Sequence, residues 1–447
     1  MSKISKILVA NRGEIACRIF RTCREMGIGT VAVYSDADAS ARHVREADQT
    51  VHLGGPKPQD SYLQADAIVN AALKSGADAV HPGYGFLSED PAFAAAVIGK
   101  GLIWIGPEPE SMLAMADKVR ARSTVQAAGV PVVPGSEAVA SDAQSAHQAA
   151  EVIGYPVMVK AAEGGGGIGM TTVAAPEDLE RAIRTASEKA ELFFGSARVY
   201  LEKFITSARH IEVQVLGLPN GTTVVVGDRD CTVQRRHQKV LEEAPAPGLA
   251  EEERAQLHTW AKAVSESVGY RGAGTVEMIM DLKDRSLYFL EMNTRLQVEH
   301  TVTELVSGID LVKAQILVAC GVDPLEETPL KAEGHAIEFR VYAEDPVRYL
   351  PGPGRLEVWQ EPEGPGIRVD SGYQAGDRVT PYYDPLLAKL CVHGSGRSQA
   401  MTRLSQAADS FKIEGTKNNL PLVSRIVNDS AFIANEHDTT LLTKVAQ

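Results

Sequence analysis

Residues 286–304 read SLYFLEMNTRLQVEHTVTE. They read as a strand whose two faces differ in chemistry. Side chains alternate along a strand, so Glu291, Asn293, Arg295, Gln297 and Glu299 share one face. Met292, Thr294, Leu296 and Val298 take the other, mostly toward a core. The polar face offers two carboxylates, two amides and a guanidinium, a set suited to a divalent metal and a small oxyanion. Upstream, AGTVEMIMD (273–281) reads as a strand and DLKDRS as the turn of a hairpin that returns through LYFLEMN. Such a hairpin sets Glu277 beside Glu291. Two carboxylates and the Asn293 amide oxygen suit Mg²⁺, which takes hard oxygen ligands and shares them with phosphates. A lone Glu-x-Asn is more simply the charged outer face of a hairpin. Five aligned polar residues plus Glu277 favour a site.

The length of 447 residues predicts two or three domains. An apolar fraction of 44% with 23% charged residues is that of a soluble globular chain. A net charge of −13 argues against nonspecific binding to nucleic acid or to an anionic membrane. The five cysteines form no CxxC pair, so neither a disulfide framework nor a zinc site is expected. There is no apolar run of membrane-spanning length and no signal-peptide pattern at the N-terminus, so a cytoplasmic setting is expected.

KILVANRGEIACRIFRTCREMG (6–27) reads as buried strand, turn and helix, and IGTVAVYSDAD (28–38) as the next strand. G-x-G-x-x-G is missing from the turn, which rules out a nicotinamide cofactor. Strand–helix alternation continues through ADAVHPGYGFLSED (77–90) to LIWIGP (102–107), predicting a parallel, doubly wound sheet. His81, Gly83, Tyr84 and Gly85 follow the strand DAV, where open α/β sheets bind ligands. A tight glycine turn packed by aromatics is equally compatible with them.

A helix is expected over 111–129, then a Pro/Gly boundary at GVPVVPGSEA (129–138). Residues 133–205 read as a small α+β module. Within it, YPVMVKAAEGGGGIGMTTV (155–173) is strand, glycine loop, strand. Gly164 to Gly167 and Gly169 free the backbone to wrap phosphate oxygens, with Lys160 at the end of the preceding strand. VYLEKFI (199–205) closes the module. Beyond it, a hairpin is expected to end in the basic cluster Gln234, Arg235, Arg236, His237, Gln238 and Lys239. Anion binding is one reading; a surface ion-pair ladder with Glu242 and Glu243 is the other. Cys231 reads as a buried structural thiol. HAIEFRVYAEDP (335–346) carries Arg340 on an apolar strand, where an unpaired guanidinium is costly. Strands, turns and a final helix follow.

These motifs, in this order and nearly end to end, resemble the biotin carboxylase subunit of biotin-dependent carboxylases, in the ATP-grasp superfamily. The resemblance implies an N-terminal α/β domain over 1–114, a helical linker over 115–132, a mobile lid over 133–205 and a C-terminal α+β catalytic domain over 206–447. It implies that ATP phosphorylates bicarbonate to carboxyphosphate and that the carboxyl group passes to biotin on a partner protein. Lys118, Lys160, Gly166, Gly167, the segment Glu202, Lys203, Phe204 and Ile205, then His210, Gln234 and His237 are the implied ATP contacts. Glu277, Glu291 and Asn293 are the implied ligands of Mg²⁺ (or Mn²⁺), and Glu277 and Glu291 are also among the implied ATP-binding residues. Lys239, Arg295, Gln297 and the backbone of Val298 are implied to hold bicarbonate, with Glu299 as the base that deprotonates it. Arg340 is implied to stabilise the biotin enolate, with Tyr84 and Gly85 near the biotin ring.

The family lid reads GGGGRGM, whereas here Ile168 replaces the arginine and Glu163 a further glycine. Thr301 stands where the family has a proline. The chain has no A-M-K-M biotinylation motif, so a biotin carboxyl carrier protein and carboxyltransferase subunits are the expected partners. A homodimer and an acetyl-CoA carboxylase role are further expectations. Another ATP-grasp ligase is opposed by Lys239/Arg295/Glu299 and HPGYGFLSE. A non-catalytic nucleotide-binding subunit is suggested only by the altered lid.

Overall fold

A computed structural model describes residues 4–136, 143–163, 170–326 and 330–445. Near the N-terminus, β1 (Lys6–Val9), β2 (Gly29–Ser35), β3 (Gln49–Gly54), β4 (Ala79–His81) and β5 (Ile103–Trp104) form one sheet in the order β3-β2-β1-β4-β5. Every pairing in it is parallel, as the strand–helix alternation predicts. β2 ends at Ser35, short of the expected Asp38, because residues 36–38 form a tight helical turn. β1 pairs with both β2 and β4, so the loops after β1 and β4 meet where the strand order reverses. Asn11 joins them by donating to the carbonyls of Pro82 (2.8 Å) and Tyr84 (2.7 Å). Gly83 is required there. Its φ is +65°, and a Cβ would stand 3.0 Å from the Asn11 amide nitrogen.

The expected single helix over 111–129 is two, Pro109–Ala116 and Lys118–Ala127. Asp117 breaks it, because its side chain caps the second helix through Arg120 N (2.9 Å). The module that follows has three antiparallel strands: β6 (Val157–Ala161), β7 (Thr171–Val173) and β8 (Val199–Lys203), in the order β7-β6-β8. Helices Ala143–Ile153 and Leu179–Phe194 flank it, and Val157, Val159, Val173, Leu179 and Leu201 form its core. The glycine run Gly164–Gly167, with Ile168 and Gly169, lies outside the described residues; the strands on either side of it are the expected ones.

The remainder is built on an eight-stranded antiparallel sheet. β9 (Ala208–Gly217), β10 (Thr223–Arg235), β11 (Gln238–Ala244), β12 (Gly272–Asp281), β13 (Leu287–Asn293) and β14 (His335–Tyr342) supply six strands. β15 (Gly354–Arg355) and β16 (Val358–Gln360) lie outside it, while β17 (Ile367–Ser371) and β19 (Leu386–Gly394) complete it; β18 (Arg378–Val379) pairs β15 and β20 (Lys412–Glu414) pairs β16. The order is β13-β12-β9-β10-β11-β14-β19-β17. Four helices follow Arg397, not one, and cover β14 and β19 with Leu404, Leu422, Ile426 and Phe432.

The strand opened at residue 286 stops at Asn293. Residues 294–299 turn away, and Glu299 occupies the N-cap position of helix His300–Ser307. The turn is fixed from outside the hairpin: Glu89 accepts from Thr294 N (3.1 Å) and from Arg295 Nε (2.9 Å). The basic cluster is likewise no tail on a hairpin. It is the tip of the β10–β11 hairpin, whose two-residue turn is Arg236–His237 with φ of +49° and +67°. Glu242 and Glu243 are fully buried, so the surface-ladder reading fails.

Candidate active site

β9, β12 and β13 carry the first carboxylates side by side. Glu277 stands opposite both Glu291 on β13 and Glu212 on β9. The expected pairing of Glu277 with Glu291 is therefore direct. Glu277 Oε1 accepts from Asn293 (2.7 Å), Lys239 (2.9 Å) and Gln297 (3.0 Å), and its Oε2 lies 2.9 Å from His210 Nε2. The polar residues of the opening stretch thus converge although the strand does not continue. Arg295 completes the set, donating to Asn293 Oδ1 (3.0 Å) and Gln297 Oε1 (3.2 Å).

Charges alternate along this site. His210 faces Glu277; Lys239 binds Glu277, Glu212 and Glu299 (2.8 Å to the last); Arg340 binds Glu299 (2.9 Å) and Glu242 (2.6 Å). Glu212, Glu242 and Glu299 are wholly buried. Taking such ions out of water costs several kcal/mol each, on the order of what a matched partner restores. Burial by itself pushes the Glu277 and Glu299 carboxyls up. The ammonium of Lys239, joined by His210 at Glu277 and by Arg340 at Glu299, holds both below the usual carboxylate range. Both are therefore anions at neutral pH. Glu277, with Glu212 behind it, holds His210 protonated to higher pH against its burial.

A second group gathers at the three-stranded module. Lys118 opens its helix with its N–H on Ala162 O (2.9 Å), and its ammonium lies 3.3 Å from Glu291. Lys160 and Arg122 both bind buried Glu202, Arg122 at 2.5 Å. Lys203 is directed to the carbonyls of Gly154 (2.8 Å) and Tyr155 (3.0 Å), and Phe204 N bonds Pro156 O (3.0 Å). Ile205 is buried beside Val133. Gln234 faces His210 at 3.5 Å, while His237 is exposed at the hairpin tip. Arg235 turns the other way, to Glu344 (2.7 Å) and the Tyr349 ring, so the six-residue cluster does not act as one patch.

A third group joins the loop after β4 to the turn at 294–299. The Tyr84 hydroxyl donates to Glu14, and Lys389 lies 3.3 Å from Glu14 while donating to Val298 O (2.9 Å). Gly85 is exposed at this edge with φ +68°. Sequence reasoning missed Glu212, Glu89, Lys389, Arg122, Glu338 and Arg229, the last of which donates to Glu212 (2.9 Å). Glu212 and Glu338 had a readable signal: polar residues at every second position of otherwise apolar strands, His210/Glu212/Gln214 and Glu338/Arg340.

Residues 3–112 match the family model described as biotin carboxylase, N-terminal domain, and residues 338–444 match the biotin carboxylase C-terminal domain. Residues 117–328 match the ATP binding domain of the carbamoyl-phosphate synthase L chain. The biotin carboxylase of Halalkalibacterium halodurans is 46% identical over 439 residues, 98% of this chain and 97% of that one. The mitochondrial propionyl-CoA carboxylase alpha chain of Homo sapiens is also 46% identical, over 98% of this chain and 61% of the relative. Among solved structures, the biotin carboxylase domain dimer of Hydrogenobacter thermophilus 2-oxoglutarate carboxylase, in complex with MgADP, ADP and bicarbonate, superposes with a TM-score of 0.95 at 42% identity, covering 100% of this chain and 99% of that one. The fold is thus that of ATP-grasp ligases. The chain belongs to the biotin carboxylase family, and with it to the ATP-dependent carboxylating ligases.

Proposed function

We propose that the site phosphorylates bicarbonate with ATP and transfers the carboxyl group to biotin on a carrier protein, as the first half-reaction of an acyl-CoA carboxylase. The observation that carries this reading is the buried row Glu277–Lys239–Glu299–Arg340, in which an anionic base sits between two cations.

Glu277, Glu291 and Asn293 fit Mg²⁺ (or Mn²⁺): their donors are hard oxygens on paired strands, and cationic side chains already face both carboxylates. Bound there, the metal supplies charge neutralisation on the transferred phosphoryl group. Lys118 and Lys160, the glycine segment with Gly166 and Gly167, Glu202 to Ile205, His210, Gln234 and His237 bind ATP in this reading. Lys239, Arg295, Gln297 and the backbone of Val298 hold bicarbonate. Glu299, kept ionised by Lys239 and Arg340, takes the bicarbonate proton, and the resulting oxyanion attacks the γ-phosphorus as ADP leaves. Carboxyphosphate then gives up its carboxyl group to the ureido nitrogen of biotin: the carboxyl carbon parts from the phosphate oxygen, and the phosphate leaves with the proton of that nitrogen. Arg340 stays protonated throughout and donates to the ureido oxygen as negative charge develops there; Tyr84 and Gly85 border that end of the site.

A biotin carboxyl carrier protein and carboxyltransferase subunits are the proposed partners, a homodimer the proposed assembly, and the cytoplasm the proposed location. Among the described residues no helix is long and apolar enough to cross a membrane. Acetyl-CoA is the proposed final acceptor, supported by the near full-length match to a protein named simply biotin carboxylase. Bicarbonate-dependent ATP hydrolysis should rise when free biotin is added, and no rise would contradict the reading. Reconstitution with carrier and carboxyltransferase should favour acetyl-CoA over propionyl-CoA; the reverse preference overturns the acceptor.

A further inference from the structure

Three fully buried carboxyls lie around Arg340: Glu299, Glu242 and Glu338. Glu338 precedes Arg340 by two residues on β14 and so shares its face. Glu242 on β11 is the direct partner of Glu338 in the antiparallel register. Directly opposed Cβ atoms stand about 4.5–5.5 Å apart, within reach for two glutamate carboxyls. Glu242 Oε1 accepts from Arg340 at 2.6 Å, and Glu338 Oε2 accepts from the Thr301 hydroxyl. Thr301 is in turn bonded by the Cys391 thiol at 3.2 Å. The other oxygen of each carboxyl, Glu242 Oε2 and Glu338 Oε1, is buried without a hydrogen-bond partner among the described residues.

Two opposed ionised carboxylates here would repel and leave two buried acceptors unsatisfied. The charged groups nearby do not relieve this. Lys239 on β11 is already shared by Glu212, Glu277 and Glu299, and Lys389 on β19 faces Glu14 as well as Glu338. Tyr84 and Tyr342 add hydroxyls that burial keeps neutral, and Cys391 a thiol that burial keeps neutral. One proton between the two orphan oxygens satisfies both.

We propose that Glu242 and Glu338 share one proton at neutral pH, and that this pair, steadied by Thr301, acts as a positioning device that keeps Arg340 available to the ureido oxygen of biotin. The role of Arg340 rests on the function proposed above; the shared proton does not. Burial raises the proton affinity of both carboxyls, Arg340 opposing it at Glu242 and Lys389 at Glu338. Losing the proton at alkaline pH sets a third negative charge beside Arg340 and weakens its help to a developing oxyanion.

The test uses the whole chain. An infrared difference spectrum recorded as pH is raised through neutrality should show loss of a protonated-carboxyl C=O band, and Glu338→Gln should lack that change, since its amide bonds Glu242 without a proton. Carboxybiotin formation should fall above neutral pH by about tenfold per pH unit, the slope of one proton. Glu338→Gln should remove this fall. Thr301→Val, which deletes a bond favouring the charged form, should move it to higher pH. No such band in the unmutated protein, or the same band change in Glu338→Gln, overturns the shared proton. A band change that behaves as expected beside an unmoved alkaline fall overturns the link to Arg340. Absence of any biotin-stimulated ATP cleavage in the unmutated protein refutes the functional reading instead, and the band still decides the pair.

Discussion

Replacing Lys239 by methionine removes one positive charge from among three buried carboxylates. Its ammonium binds Glu212, Glu277 (2.9 Å) and Glu299 (2.8 Å), none of them more than 4% exposed. Methionine keeps the length of the side chain, so the packing loss is small and the charge dominates. Removing one partner of a buried ion pair typically costs 3–5 kcal/mol. Glu277 retains His210, and Glu299 retains Arg340, so the loss expected for Lys239→Met at pH 7 is about 3 kcal/mol. The pH dependence is more diagnostic than the size. Lys239 is the largest influence opposing burial at Glu277 and Glu299, whose carboxyls it holds down. A carboxyl held below its unfolded value contributes stability that is present above about pH 4.5 and lost as pH falls through the folded value. Without Lys239 burial pushes these carboxyls up, and they take protons as the solution becomes mildly acidic. The difference between the two proteins should therefore be greatest at neutral pH and shrink toward pH 5. Urea unfolding followed by circular dichroism across pH 5–8 measures it. A gap below about 1 kcal/mol at pH 7, or one that widens on acidification, would refute the ion-pair account.

Other expectations follow from the same geometry. Glu291→Gln should lower Mg²⁺-dependent ATP turnover by about a hundredfold or more with an unchanged circular dichroism spectrum; near-normal turnover removes the metal assignment. Buried Asp230 would be raised by its burial, but Arg209 at 2.5 Å holds it below the usual range, so its contribution is present above about pH 4 and lost on further acidification. Asp230→Asn should accordingly flatten the acid side of the stability profile, and an unchanged profile would count against the pair.

The parallel sheet, the three-stranded module and the Glu277–Glu291 hairpin were legible because each depends on local patterning: apolar runs, turn residues and period-two alternation. The continuation of the strand past Asn293 was misread for a physical reason. Alternation persists in the residue types through Glu299, but the chain is bent by Glu89, a residue about two hundred positions away that leaves no local trace. Lys239 seemed part of a basic patch because six polar residues are adjacent in sequence. The hairpin separates them, sending Arg235 to Glu344 and Lys239 into the carboxylates. A surface ion-pair ladder stays open for Glu242 in the sequence because nothing local announces that Arg340, on another strand, will meet it.

In the proposed reaction Glu299 and Arg340 serve successive steps although they touch. Phosphate release and carboxybiotin should be measured in parallel on Glu299→Gln and Arg340→Ala, with folding checked by circular dichroism. Glu299→Gln should depress bicarbonate-dependent ATP cleavage with or without biotin, by about 10²–10³. Arg340→Ala should spare much of the biotin-independent cleavage and depress carboxybiotin formation by a similar factor. The reverse pattern, or equal losses of both activities in both proteins, would contradict it.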